Sequence, residues 1–129
     1  MNHARAEVLL ANLSIREDMP AFYGVFIPPK DRDREYGLTP GSEAYVEFLT
    51  QTVVPAAEDA LGLQITPRNR VLVGPSLGGT ITLYTAFMRP DVFPFAASQS
   101  AAMDERKETL FKLINQSPFG KPEIGRAHV

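Results

Sequence analysis

The chain has 129 residues, of which 44% are hydrophobic and 22% charged, with a formal net charge of −2 and no cysteine. That length suits one domain with a substantial core, and the balance excludes disordered, collagen-like and coiled-coil chains. Without cysteine there is no disulfide scaffold, thiolate metal site or cysteine nucleophile, and near-neutral charge with scattered basic residues gives no reason to expect nucleic acid or an anionic membrane as partner.

In chain order, Met1 to Arg5 shows neither an apolar signal core nor a small-residue cleavage site, so any export signal is expected upstream and the compartment stays open. Val8, Leu9, Asn12 and Leu13 recur at helical spacing and predict a short helix over 4–13, ended by Asp18-Met19-Pro20. Phe22 to Ile27 is a nearly continuous apolar run stopped by Pro28-Pro29. It predicts a strand buried on both faces, as a parallel sheet requires. Residues 30–41 are polar and turn-rich and read as a loop.

Ser42 is placed to cap the next helix, with Glu43 in its first turn. Tyr45, Phe48, Leu49, Thr52, Val53, Ala56 and Ala60 then share one face. Within that face Pro55 predicts a kink costing about 3 kcal/mol, and Gly62 ends the pattern. Pro67-Arg68-Asn69 reads as a turn and Arg70 to Val73 as a second buried strand. After a tight glycine-bearing turn over 74–79, Leu77, Ile81, Tyr84 and Met88 mark one face of a helix stopped by Arg89-Pro90-Asp91. Phe95 to Ser98 predicts a third strand and Glu105 to Ile114 a further helix.

Helices alternating with strands imply an α/β fold, a parallel sheet flanked by helices. Three strands with both edges unpaired make an unlikely complete domain. No apolar run is long enough to span a bilayer.

Gly74-Pro75-Ser76-Leu77-Gly78 fits G-x-S-x-G, with Gly79 following, and it lies between a predicted strand and a predicted helix. Such a corner is expected to strain Ser76 and expose its hydroxyl as a nucleophile. Gly74 and Gly78 are expected to be needed because a Cβ at either would collide in the crowded turn. The Leu77 N–H, at the helix start, is placed to donate to a tetrahedral oxyanion. A phosphate-binding loop fails on the residue types, because Thr80 stands where its lysine belongs. A structural corner with a bystander serine is the remaining alternative.

A serine nucleophile needs a base and an orienting acid, in the order Ser, Asp/Glu, His for this kind of corner. His3 precedes Ser76, and His128 is second from the end with nothing after it to hold it. Asp91 and Asp104 follow closely enough to read as a helix stop and a solvated loop residue. The base, and with it the acid, is therefore expected outside the chain.

Val25 to Ser100 resembles the enterochelin esterase and esterase D group of α/β-hydrolases. The resemblance rests on Val25-Phe26-Ile27, Arg32 to Tyr36, Tyr45, Phe48-Leu49, Val54-Pro55, Arg70 to Gly79, Pro90 to Phe93 and Ser98-Gln99-Ser100, in that order and spacing. It implies hydrolysis of small-molecule carboxylic esters through an acyl group on Ser76, without metal or cofactor. Where the family often continues with glycine and bulky aromatics, this chain has Ala101-Ala102-Met103, which argues against a siderophore-type substrate. Arg34 and Glu35 are candidates to line the substrate cleft; a solvated ion pair of the loop is the plain alternative.

The resemblance also places the second oxyanion donor upstream of Met1 and the catalytic aspartate and histidine downstream of the last helix. The chain thus reads as the central part of one α/β-hydrolase domain over 1–122, truncated at both ends, and as inactive by itself. A non-catalytic hydrolase-like binding domain or a pseudogene fragment is the other reading. Glu123 to Val129 can be encoded by GAGATCGGAAGAGCACACGTC, which resembles a short-read sequencing adapter, so 123–129 is expected to be a non-native tail.

Overall fold

The computed structural model describes the backbone over residues 3–16, 20–116 and 123–127, and side chains over 8–16 and 20–116. Helices α1 (His3–Ile15), α2 (Arg32–Tyr36), α3 (Pro40–Phe48) and α4 (Val54–Leu61) precede strand β1 (Val71–Pro75). Helix α5 (Leu77–Met88), strand β2 (Phe95–Gln99), helix α6 (Lys107–Gln116) and strand β3 (Glu123–Ala127) follow. The three strands form one parallel sheet in the order β1-β2-β3.

Helix α3 starts earlier than Ser42. Pro40 supplies a preset φ at the first helical position, and the Thr39 hydroxyl accepts from the Gly41 N–H at 3.1 Å. Ser42 instead closes a capping box from the third position, its hydroxyl accepting the Thr39 N–H at 3.2 Å. Residues 32–36, expected as loop, form the single helical turn α2, capped by Asp31, whose carboxylate accepts from the Arg34 N–H at 3.1 Å.

Pro55 is accommodated by widening the preceding turn. Leu49–Val53 is π-helical, and the Val54 N–H reaches back five residues to the Leu49 carbonyl. A proline has no N–H and its ring crowds the carbonyl four residues earlier, so one widened turn relieves both problems where the sequence predicted a kink. Gly62 then stops α4 at φ 64, with its N–H donating to Asp59 O (3.1 Å) and the Leu63 N–H to Glu58 O (3.0 Å). This pairing satisfies the last carbonyls of the helix.

Phe22 to Ile27 forms no strand. Phe22, Tyr23, Val25 and Phe26 are 38–65% exposed, and the segment joins no ladder of the described sheet, whose strands are β1, β2 and β3. Tyr23, Val25 and Ile27 instead border a cavity of about 190 Å³ shared with Val54, Leu61 and the start of β1.

The core lies on one side of the sheet. Leu72 and Gly74 of β1 and Ala96 and Ser98 of β2 turn inward, whereas Val71 (60%) and Val73 (68%) stand exposed on the other face. Helix α5 is buried from Gly79 to Phe87 nearly all round, between the sheet and the helices α2 and α6. Leu77, Ile81, Leu83 and Tyr84 meet Tyr36, Tyr45, Leu49 and Leu110 there. Tyr36 and Tyr45 meet edge to face at 5.1 Å, their hydroxyls 3.4 Å apart, and burial pushes the Tyr45 phenol far above its ordinary pKa. The fold is thus α/β with a small parallel sheet, covered by helix on the α5 side.

The guanidinium of Arg70 donates to Glu58, to Ile65 O (2.7 Å) and to Val92 O (3.3 Å), which ties α4 and the entry to β2 onto the foot of β1. A Cβ at Gly62 would meet nothing within 4 Å, so only its left-handed backbone requires glycine. Gly62→Ala should cost about 1 kcal/mol and Gly62→Asn less, read as shifts in the urea midpoint.

Candidate active site

The corner between β1 and α5 is built by close approach. A Cβ at Gly74 would strike the Gly78 carbonyl and lie 2.7 Å from Thr82 Oγ1. At Gly79 it would lie 2.7 Å from Ser98 Oγ, 3.0 Å from Gly74 O and 3.2 Å from Ala101 Cα. At Gly78 it would meet only Pro75 Cδ at 3.3 Å. The steric demand expected of Gly78 therefore falls on Gly79, because Gly79 is where the first turn of α5 leans on β2.

Between these glycines Ser76 has φ 55 and ψ −124, a conformation costing on the order of 1–3 kcal/mol for a residue with a Cβ. Hydrogen bonds hold it there. Its N–H donates to Gln99 O at 2.9 Å, and its carbonyl accepts from the N–H groups of Gly79 (2.9 Å), Thr80 (3.1 Å) and Ala102 (3.3 Å). Ser76 is exposed, while Leu77 beside it is buried.

The Leu77 N–H is the first of a 12-residue helix, so it has no acceptor within that helix and stands in the positive field of its N-terminus. An exposed hydroxyl next to a free, oriented N–H is what addition to a carbonyl requires: a nucleophile and a donor for the oxygen that gains charge.

Three further groups fix the corner, and the reading of the sequence singled out none of them as site residues. Ser98, buried in β2, donates to Gly79 O at 3.1 Å. The Thr80 hydroxyl donates to Ala102 O at 2.8 Å. Ala102 closes the loop back onto Ser76. The available signal was the alternation of small residues Ala96 and Ser98 on one face of a predicted strand, which marks a helix packed unusually close.

Asp91 is held by Arg89, whose Nε and Nη2 donate to its two oxygens at 2.9 and 2.8 Å, while Nη1 reaches Thr50 Oγ1 at 3.3 Å. The hydrogen bond from Arg89 keeps the Asp91 carboxyl below the usual carboxylate range. Asp104 is likewise paired with Arg106, which holds its carboxyl low, and Arg106 Nε donates to Gly37 O at 3.2 Å. Both carboxylates are engaged with arginines as helix-stop and loop residues. His128 and the side chain of His3 lie outside the described residues.

Arg34 and Glu35 sit on α2. The Glu35 carboxylate accepts the Lys30 N–H at 3.0 Å, and the stem of Arg34 lies against Gly41 at the start of α3. Their described hydrogen bonds stay within 30–39. Arg106 nevertheless ties the end of α2 to the loop after β2, the same loop whose Ala102 touches Ser76. Among the described residues no cluster of histidine, aspartate and glutamate could hold a metal ion, and no helix is long and apolar enough to cross a membrane.

Residues 2–127 match the model of a protein family described as "Putative esterase". The Uncharacterized protein YjcH of Bacillus subtilis (strain 168) is 33% identical over 95 residues, covering 70% of this chain and 38% of that protein. The chain spans well under half the length of this relative.

The glycine geometry orders three substitutions by their effect on stability. Gly74→Ala and Gly79→Ala should each lose about 1–3 kcal/mol or more through overpacking, whereas Gly78→Ala should stay within about 1 kcal/mol, as measured by urea denaturation. Asp91 gives a pH test. Its carboxyl titrates lower in the folded chain, so its contribution is present above the ordinary carboxylate pKa and is lost as pH falls through the folded value. Asp91→Asn should therefore flatten the acid limb of the stability profile, by less than about 1 kcal/mol because the pair is partly exposed.

Proposed function

This chain belongs to the esterase family, and on that premise we propose that it carries the nucleophile of a serine ester hydrolase with the α/β-hydrolase fold. The observation that carries this reading is the backbone of Ser76, φ 55 and ψ −124, which sets an exposed serine where a parallel strand ends and a helix begins. The open end of a parallel sheet, at the C-termini of its strands, is where α/β folds bind ligands.

In this mechanism a base takes the Ser76 proton as Oγ attacks the carbonyl carbon of a small-molecule carboxylic ester. The π electron pair of the carbonyl moves to oxygen, and the Leu77 N–H donates to that oxyanion. Collapse expels the alcohol, which takes the proton from the base, and leaves an acyl group on Ser76. Water repeats the sequence and releases the carboxylic acid. No metal or cofactor is needed in these steps. The base and the acid that orients it are assigned to the part of the protein beyond this chain, whose match spans 38% of its relative.

A fluorophosphonate probe should label the full-length protein at Ser76. Ser76→Ala should abolish labelling and lower kcat/KM on short acyl esters by about a thousandfold or more. A full-length protein that stays unlabelled would instead be a non-catalytic binding domain. The 129-residue chain alone should show negligible turnover, and Ser76-dependent hydrolysis by it would overturn the assignment of the base. Long-read sequencing of the source locus should continue the frame past Pro122 into sequence carrying an aspartate and a histidine. Native DNA encoding Glu123 to Val129 followed by a stop would support the pseudogene reading.

A further inference from the structure

The pairing of β1 with β2 continues one step beyond both strands. Pro75 faces Gln99 in the ladder, and the Ser76 N–H then donates to Gln99 O at 2.9 Å. That is the bond a parallel pair makes when Ser76 stands opposite Ser100. The two serines therefore follow directly on the ends of neighbouring, paired strands. Both are exposed, and both have positive φ, 55 at Ser76 and 47 at Ser100.

The turn at Ser100 has a visible structural purpose. It leads the chain to Ala101, which lies against Gly79, and to Ala102, whose N–H reaches Ser76 O at 3.3 Å. That purpose needs positive φ and no hydroxyl, and glycine would serve it with less strain. The nearby Ser98 hydroxyl is buried and donates to Gly79 O. The described hydrogen bonds of this loop use the main chain of Ala102 and the side chains of Thr80 and Ser98, and not the hydroxyl of Ser100. An exposed hydroxyl offers one donor and two acceptor sites, here on the residue abreast of the proposed nucleophile.

We infer that Ser100 contacts the substrate and sets its specificity: its hydroxyl hydrogen-bonds an oxygen-bearing substituent close to the scissile ester, so the site prefers hydroxylated esters to their alkyl counterparts. The inference rests on Ser76 being the nucleophile, and it adds a substrate class to that reading. The oxygen can belong to the acyl or to the alcohol half, and two matched pairs of substrates separate these: p-nitrophenyl 3-hydroxybutyrate against p-nitrophenyl butyrate, and 2,3-dihydroxypropyl butyrate against propyl butyrate.

The test uses the full-length protein and two variants that keep the backbone turn. Ser100→Gly removes the hydroxyl and relaxes the strain, while Ser100→Asn tolerates positive φ and restores a hydrogen-bonding group. In at least one pair, Ser100→Gly should lower kcat/KM for the hydroxylated ester about three- to tenfold, the effect of one lost hydrogen bond. The alkyl ester should change less than about twofold, and Ser100→Asn should recover part of the preference. Equal losses on both members of each pair, or no loss on either, would overturn the inference while fluorophosphonate labelling of Ser76 persists. Absence of labelling in the unmodified protein would remove the nucleophile assignment and this inference together.

Discussion

The first turn of α5 leans on the C-terminal ends of β1 and β2 more closely than side chains normally permit, and the geometry of the corner follows from that approach. Gly74 and Gly79 allow it, since a Cβ at either would meet backbone or a buried hydroxyl. Once the helix is that close, the Ser76 carbonyl comes within reach of the N–H groups of Gly79, Thr80 and Ala102, and Ser98 can donate to Gly79 O. These bonds offset the strain of positive φ at Ser76. The same contacts leave the Leu77 N–H at the open end of the helix, beside an exposed serine. Packing, strain and chemical potential at this corner have one cause.

Arginines join the pieces that a thin sheet cannot. Arg70 collects Glu58, Ile65 and Val92 at the foot of β1. Arg89 links the end of α5 to Thr50 in the π-helical turn, and Arg106 links the loop after β2 to the end of α2. Each spans segments far apart in sequence and donates to main-chain carbonyls or a hydroxyl on the segment it reaches. Asp91 and Asp104 are absorbed into this framework through Arg89 and Arg106.

The other face of β1 is unlike the α5 face. Val71 and Val73 are exposed, as are Phe22, Tyr23, Val25 and Phe26 of the aromatic segment before α2. A parallel strand rich in valine reads as buried on both sides, and that expectation is met on the α5 side. The apolar content of 22–27 and of β1 is thus a property of the sequence, while its burial depends on whether a partner strand lies alongside.

Local chemistry was legible in the sequence. The corner at Gly74–Gly79, the helix after it, the strands near 71 and 96, the stop at Gly62 and the Arg-Pro-Asp helix stop at 89–91 each follow from steric or hydrogen-bonding rules that act within a few residues. What the tertiary structure alone decided depends on contacts between distant segments. It moved the steric demand from Gly78 to Gly79, because Ser98 lies nineteen residues on and only folding brings it there. It turned the expected kink at Pro55 into a π-helical turn, kept Phe22 to Ile27 out of the described sheet, and brought Ser100 next to the end of β1 through the Pro75–Gln99 pair and the Ser76 N–H bond to Gln99 O. A sequence specifies which residues can bend, cap or be buried, whereas which neighbour each one meets is fixed only when helices and strands are packed in three dimensions.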